Sequence, residues 1–140
     1  MKKFLFLLML FAANMLNAQN KLTIVVDGIE TAKGKILVGV YDSANFLKQP
    51  AYAAAKKANS NEITITIDSV ATGTYAVSIM HDENDNNKLD VGTYGIPIEK
   101  TGFSNNARGK MGAPSFSDCM FNVDEDTVIY ITLWKFELMK

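Results

Sequence analysis

Residues 62–68, which read EITITID, decide the fold class of this chain. Isoleucine occupies every odd position of the stretch and a polar residue every even one, so a β-strand would bury one face and expose the other. Similar runs rich in β-branched residues occur at residues 22–26, 36–40 and 74–80. Several short alternating runs separated by turn residues predict an all-β domain.

These runs predict one two-sheet β-sandwich of about seven antiparallel strands with Greek-key-like connections, and a small barrel is the alternative. A glycine-containing link between the first two runs predicts that they pair as a hairpin. We expect residues 51–58 to form an edge strand and residues 119–123 and 127–136 to close the domain as strands. One long irregular connection, from about Asp82 to Pro114, follows the fifth strand. Connections of this length are uncommon and often functional.

The N-terminus has the pattern of a secretory signal peptide. Two lysines precede the apolar run FLFLLMLFAA at residues 4–13, and Ala18 is a small residue at the expected cleavage site. The run is shorter than the roughly 20 apolar residues of a membrane span, so an uncleaved anchor is the less favoured alternative. We therefore expect that residues 1–18 are removed and that residues 19–140 form one exported domain. The mature protein is expected to be periplasmic or extracellular, without a stable membrane anchor.

Composition argues against some classes of function. The chain has 140 residues, a formal net charge of −1 at pH 7 and a single arginine, Arg108. Nucleic-acid binding requires clustered basic residues, so no nucleic-acid partner is expected. Cys119 is the only cysteine, which rules out an intrachain disulfide, and we interpret it as a buried residue rather than a nucleophile.

Polar chemistry is concentrated in residues 81–90, which read HDENDNNKLD. Counted from Asp82, oxygen-bearing side chains recur at alternate positions, as they do in Ca²⁺-binding loops. The predicted Ca²⁺ ligands are the side chains of Asp82, Asn84, Asn86 and Asp90 and the backbone carbonyl of Lys88. Thr93 stands where such loops carry a bidentate glutamate. Glu99, or a carbonyl elsewhere in the long connection, would have to supply that ligand.

The alternative interpretation of this loop is an Asx-rich turn whose side chains bond their own backbone and bind nothing. A bound cation is favoured because neighbouring carboxylates repel one another. His81, the only histidine, is interpreted as a buried residue that clamps the root of the loop, since a zinc site needs further ligands. A hydrolase that uses His81 and Asp82 is a minor alternative, and we expect a protein without enzymatic activity.

A second candidate site lies at residues 102–109, which read GFSNNARG. Arg108 would pair with an anionic group there, and Asn105 and Asn106 would contribute hydrogen bonds. This segment gives the alternative function, a metal-free module that binds a small anion or a sugar. The competing interpretation is that Arg108 only pins the loop by bonding carbonyls or a carboxylate.

Residues 81–90, 95–97 and 102–109 together resemble an exported bacterial family catalogued as domain of unknown function 2141. The resemblance covers essentially the whole chain after the signal peptide, and the family usually has glycine at the positions of Asp85 and Asn87. Residues 73–77, GTYAV, also look like a strand of transthyretin-like and carboxypeptidase-regulatory-like sandwich domains, which implies a sandwich by analogy. The resemblance implies no activity or substrate, and it leaves a protein or small-molecule partner open.

Overall fold

The structure is a computed structural model that describes residues 19–137. The predicted signal peptide, residues 1–18, lies outside the described residues. The strands are β1 (Gln19–Asp27), β2 (Lys35–Tyr41), β3 (Tyr52–Lys57), β4 (Ile63–Ala71), β5 (Gly73–Asp82), β6 (Thr101–Phe103), β7 (Phe121–Val123) and β8 (Thr127–Thr132). One α-helical turn, α1 (Phe116–Cys119), precedes β7. Within residues 19–137, no helix is long and apolar enough to cross a membrane.

The strands form two sheets that pack face to face. The smaller sheet has the order β4-β1-β8, and the larger has the order β3-β2-β5-β6, with β7 paired to the start of β5. The predicted all-β sandwich is therefore confirmed. The expectation of purely antiparallel strands is wrong for one pair, because β8 runs parallel to β1 and places Ile129 opposite Ile24. Parallel pairing is available here because the rest of the sandwich forms the crossover between these strands.

Residues 63–68 form a strand with one buried face, as their alternating pattern predicts. Ile63, Ile65 and Ile67 are buried, and Ile65 lies opposite Ile24 of β1 in the antiparallel register. On the facing sheet, alternate residues of β2 and β5 complete the same apolar core. Fully burying one such aliphatic side chain contributes about 1.5–3 kcal/mol, so the core stabilises the fold without a disulfide.

The predicted hairpin between the first two strands is wrong. β1 pairs with β4 and β8, whereas β2 pairs with β3 and β5, so residues 28–34 cross from one sheet to the other. The alternating pattern specifies which face of a strand is buried but not which strand lies beside it. The expected edge strand at residues 51–58 is confirmed as β3, at the end of the larger sheet.

The last part of the domain, predicted as strands at residues 119–123 and 127–136, differs from the prediction at its two ends. Cys119 belongs to α1 rather than to a strand, because the Ser115 side chain and the Asp118 side chain form a reciprocal capping box. The last strand, β8, ends at Thr132, and beyond it Trp134 makes only an isolated bridge to Thr101.

The long connection after β5 contains more structure than the sequence predicts. It includes β6, which pairs with β5, and two 3-10 turns at Thr93–Gly95 and Ser104–Asn106. The polar stretch at residues 82–90 thus starts at the end of β5, a central strand of the larger sheet, and the connection returns to the same sheet through β6. This return is what brings distant residues of the connection back to the loop.

Candidate functional site: the acidic loop and its closing glutamate

Asp82 anchors the acidic loop, which we define as residues 82–90. Its side chain is fully buried at the end of β5 and accepts two backbone hydrogen bonds, from Asn86 to Oδ1 at 3.1 Å and from Asn87 to Oδ2 at 2.8 Å. Asp85 and Asn87 adopt left-handed backbone angles, with φ of 57° and 60°. Glycine adopts these angles at least cost, and Asn and Asp tolerate them better than most other residues.

The side chains of Asn84 and Asn86 bond the backbone of the loop after Asp82. Asn84 Oδ1 accepts the Asn86 backbone N–H at 3.3 Å, and Asn86 Oδ1 accepts the Lys88 backbone N–H at 2.9 Å. Their side-chain NH₂ groups donate to the Asp90 carboxylate, at 2.6 Å from Asn84 and 2.8 Å from Asn86. The side chains of all four predicted side-chain ligands, together with the Lys88 backbone, therefore belong to one hydrogen-bond network.

Glu99 closes the loop from the far side of the connection. It is only 7% exposed, and its Oε1 accepts the backbone N–H of Glu83 at 3.2 Å while Oε2 accepts that of Asp90 at 3.1 Å. Glu99 is one of the two predicted sources of the ligand that Thr93 cannot supply. Thr93 itself is exposed in a 3-10 turn, whereas Glu99 bridges the two ends of the loop.

One lysine partly offsets the negative charge. Lys35 Nζ on β2 lies 3.9 Å from Asp82 Oδ2 and 3.7 Å from Asp85 Oδ1. The β2–β5 register places Lys35 directly opposite Asp82, which a reading of the sequence alone missed because strand pairing was not known. A cation in the loop would compete with this lysine for the same carboxylates.

The donor set suits a hard cation rather than a transition metal. In the described part of the chain, no group of three or more His, Cys, Asp or Glu side chains is arranged to hold a metal ion by itself. A cation here would need amide and backbone oxygens in addition to the carboxylates. Ca²⁺ accepts that mixture of oxygen ligands readily, whereas zinc prefers nitrogen and sulfur.

The segment at residues 102–109 ties the connection to the sandwich. Asn105 Nδ2 donates to the backbone carbonyls of Asp118 at 3.2 Å and Met120 at 2.9 Å, and Asn106 Oδ1 accepts the Thr132 backbone N–H at 2.9 Å. Both asparagine side chains therefore have structural partners. Arg108 lies 4.9 Å from the centroid of the Trp134 ring, a cation–π distance. That Asn105, Asn106 and Arg108 bind a ligand stays a prediction.

The family comparison covers the whole of this arrangement. A model of a bacterial family, described as an uncharacterized protein conserved in bacteria (DUF2141), matches residues 24–130. The chain belongs to this family. The matched range runs from β1 into β8 and so includes the acidic loop, Glu99 and the GFSNNARG segment. The DUF2141 chain has no significant match among curated proteins or among solved structures.

His81 of this DUF2141 protein is buried within the sandwich. Its ring is fully buried, Nε2 lies 2.8 Å from the backbone carbonyl of Lys33, and Nδ1 lies 3.9 Å from Glu83 Oε1. The imidazole bonds the β1–β2 connection, while the Asp82 carboxylate bonds the loop backbone. The two side chains of the hydrolase alternative thus bond different partners.

Cys119 is buried beside Phe103 and Ala76 in a small second core cluster. Burial, with a smaller contribution from the Asp118 carboxylate, raises the pKa of the thiol to about 11. A thiol with that pKa is almost entirely protonated at neutral pH and is a poor nucleophile. Cys119 therefore acts as an apolar core residue.

Proposed function

We propose that this DUF2141 protein is an exported, non-enzymatic domain that binds Ca²⁺ through the acidic loop and Glu99. The ion orders the long connection, which then presents an interaction surface. One observation carries the proposal: a buried glutamate bridges both ends of a loop whose oxygen-bearing side chains follow part of the Ca²⁺-loop spacing. Backbone N–H groups bond both of its oxygens but do not neutralise its charge, so a cation beside this buried carboxylate would be stabilising.

The loop offers enough oxygens for the ion. Ca²⁺ takes about six to eight oxygen ligands. The loop can supply that number from the side-chain oxygens of its four predicted ligands, the Lys88 carbonyl and the two Glu99 oxygens. In the structure, the NH₂ groups of Asn84 and Asn86 donate hydrogen bonds to the Asp90 carboxylate. Binding would replace those two donors with the cation and turn both amide oxygens toward it.

The expected affinity is that of an extracellular module. Lys35 competes for Asp82, and two of the side-chain ligands are neutral amides. Affinity falls with fewer charged ligands, so we expect a dissociation constant on the order of 10⁻⁴–10⁻³ M. An ion with this affinity is bound outside cells, where calcium is abundant, which agrees with the proposed export.

Calorimetry tests the proposal directly. Purified protein titrated with CaCl₂ should release or absorb heat, and its melting temperature should rise with calcium concentration. At a hundredfold excess over the dissociation constant, the stabilisation should be about 2.7 kcal/mol. Asp82→Asn should weaken both effects, whereas Asp68→Asn, an exposed position on β4, should leave them unchanged. No heat and no shift in the melting temperature would contradict calcium binding.

Two observations support a role without catalysis. The only histidine is fully buried and bonds a backbone carbonyl, and the only cysteine is buried with a raised pKa. Export has its own test, which is N-terminal sequencing of the protein released from its bacterial cell. A start near Gln19 would support cleavage, and an intact Met1 on released protein would contradict it.

A further inference from the structure

An apolar cleft lies between the long connection and the outer face of the larger sheet. Its volume is about 460 Å³, within the range of small-molecule pockets. Residues of the connection form one wall, and Phe103 of β6 with residues that follow β8 forms the other. The large apolar side chains that line it are Leu89, Tyr94, Phe103, Met111, Trp134 and Phe136.

A second cavity continues the cleft across the sheet. Its volume is about 440 Å³, and it shares Leu89, Thr101, Phe103 and Ala113 with the first cavity. Beyond these shared residues its lining includes outward-facing side chains of β2 and β5, such as Leu37 and Met80. The two cavities therefore adjoin at these shared residues and form neighbouring parts of one apolar surface.

Apolar side chains stay exposed at the edge of the cleft. Met111 is fully exposed and Tyr94 is 90% exposed, while Leu89 is 40% exposed. A cluster of exposed large apolar side chains is unfavourable in water unless something covers it, and such patches commonly mark binding sites. The concave shape favours a small molecule over a flat protein partner.

Charge at the cleft has one sign. Among residues 19–137, Lys110 is the only charged residue that lines the first cavity, and none lines the second. Lys110 also borders an adjoining groove with Arg108, whose guanidinium lies over the Trp134 ring. Asp118, the one carboxylate on that groove, caps α1 and lies outside both apolar cavities. A ligand with an anionic group could place that group beside Lys110 and Arg108. The apolar part of the same ligand would then contact the apolar side chains of the cleft.

We propose that the cleft binds a small amphipathic anion, with its apolar chain against Phe103 and Trp134 and its negative group beside Lys110. An alkyl carboxylate has this chemistry. Leu89 of the acidic loop lines the cleft, but the groups assigned to the ligand, Phe103, Trp134 and Lys110, lie outside that loop, and the proposal does not rest on calcium binding. If the cleft does not bind the anion, the calcium proposal is unaffected. If the loop does not bind calcium, the cleft proposal is unaffected.

Trp134 provides the measurement, because it is the only tryptophan in the chain and lines the cleft. Dodecanoate brominated at the end of its chain is the probe, since bromine quenches indole fluorescence only at short range. The titration is made on the full protein in chelator, below the micelle concentration, because calcium carboxylates precipitate. Saturable quenching is expected, and the equally brominated dodecanol should bind more weakly. No saturable quenching, or equal binding of acid and alcohol, would overturn the proposal.

Three variants locate the ligand. Lys110→Gln should weaken binding of the carboxylate by roughly threefold to tenfold, because it removes the facing charge, and should leave binding of the alcohol unchanged. Lys57→Gln, an exposed lysine on β3, is the matched control and should bind like the parent protein. Ala113→Phe should fill the junction of the two cavities and abolish quenching by both probes. If Lys110→Gln and Ala113→Phe keep the parent's circular dichroism and its affinity, the site is wrong.

A membrane surface is a different source of the same anionic, apolar chemistry. Vesicles of zwitterionic lipid, with and without anionic lipid, form the second arm of the experiment. Protein that stays in solution with both vesicles but responds to the free carboxylate supports the proposal. Sedimentation with anionic vesicles, combined with no response to free carboxylate, would overturn it in favour of a membrane surface.

Discussion

The backbone N–H of Asp90 donates to Oε2 of Glu99 at 3.1 Å, so the end of the acidic loop is held by a residue nine positions later. The other oxygen of the same carboxylate holds the start of the loop through Glu83. A single side chain thus sets the distance between the two arms of the loop. An ion bound in the loop would add to this link between the loop and the rest of the long connection.

Glu99→Gln tests this frame and the proposed Ca²⁺ site together. The amide keeps one acceptor oxygen but loses the charge and the second acceptor, so calcium affinity should fall by about tenfold or more. Stability without calcium should fall by about 1–3 kcal/mol, because one buried backbone N–H loses its partner. Calorimetry with CaCl₂ and urea unfolding measure the two effects. Glu62→Gln, at an exposed position before β4, should change neither, and an unaltered calcium affinity in Glu99→Gln would contradict its role as a ligand.

His81→Ala should destabilise the protein by about 2–4 kcal/mol, because it leaves a cavity in the core and an unbonded Lys33 carbonyl. Chemical denaturation at neutral pH gives the value. Thr66→Ala, on the exposed face of β4, is the control and should stay within about 0.5 kcal/mol of the parent. An unchanged midpoint in His81→Ala would contradict the clamping role of the histidine.

Gly34→Ala should be severely destabilising. Gly34 has φ of +64°, and a Cβ there would collide with the backbone carbonyl of Asp82 at the root of the loop. Left-handed strain and the collision together should cost about 2–5 kcal/mol. Gly95 has a similar φ of +71° but open space around it, so Gly95→Ala should cost only about 1–2 kcal/mol. Thermal melts of both variants separate the two contributions, and equal losses would show that the collision is relieved.

Stability should fall as the solution becomes alkaline. Burial is the main cause that raises the pKa of Cys119 to about 11, and burial with the neighbouring Tyr52 raises the pKa of Tyr75 to about 12. The folded protein holds these protons more tightly than the unfolded chain, so their stabilisation is complete below the ordinary values of 9.0 and 10.0. It is lost as the pH rises through about 11 and about 12.

Urea unfolding from neutral pH to alkaline pH should therefore give a decreasing free energy above about pH 9. Cys119→Ala should flatten the earlier part of this decrease, whatever its effect at neutral pH. A thiol reagent should also react with native protein far more slowly than with unfolded protein. Equal rates would contradict the buried, protonated thiol.

The sequence predicted much of the fold because alternation is a local property. Residues 62–68 form the expected strand with one buried face, and the edge strand at residues 51–58 is also found where it was expected. The predicted hairpin between β1 and β2 was wrong, because two strands with the same pattern fit either sheet equally well. The parallel β1–β8 pair was missed for the same reason, since nothing local marks its long crossover.

For the candidate site, the sequence drew attention to the polar residues of the loop but not to the contacts that they make. Asp82, Asn84, Asn86 and Asp90 lie in one hydrogen-bond network, and their role as Ca²⁺ ligands stays a prediction. Lys35 was missed because it approaches the loop only through the β2–β5 register. The apolar cleft was missed as well, since its walls come from three separate parts of the chain.

The sequence by itself determined the all-β class, the buried faces of the strands and the composition of the acidic loop. Those properties follow from side-chain periodicity and from oxygen-bearing residues close together in the chain. Only the tertiary structure decided that Glu99 closes the loop rather than Thr93. The reason is geometric: the connection turns back at β6 to pair with β5, and this pairing carries Glu99 to the backbone of Glu83 and Asp90.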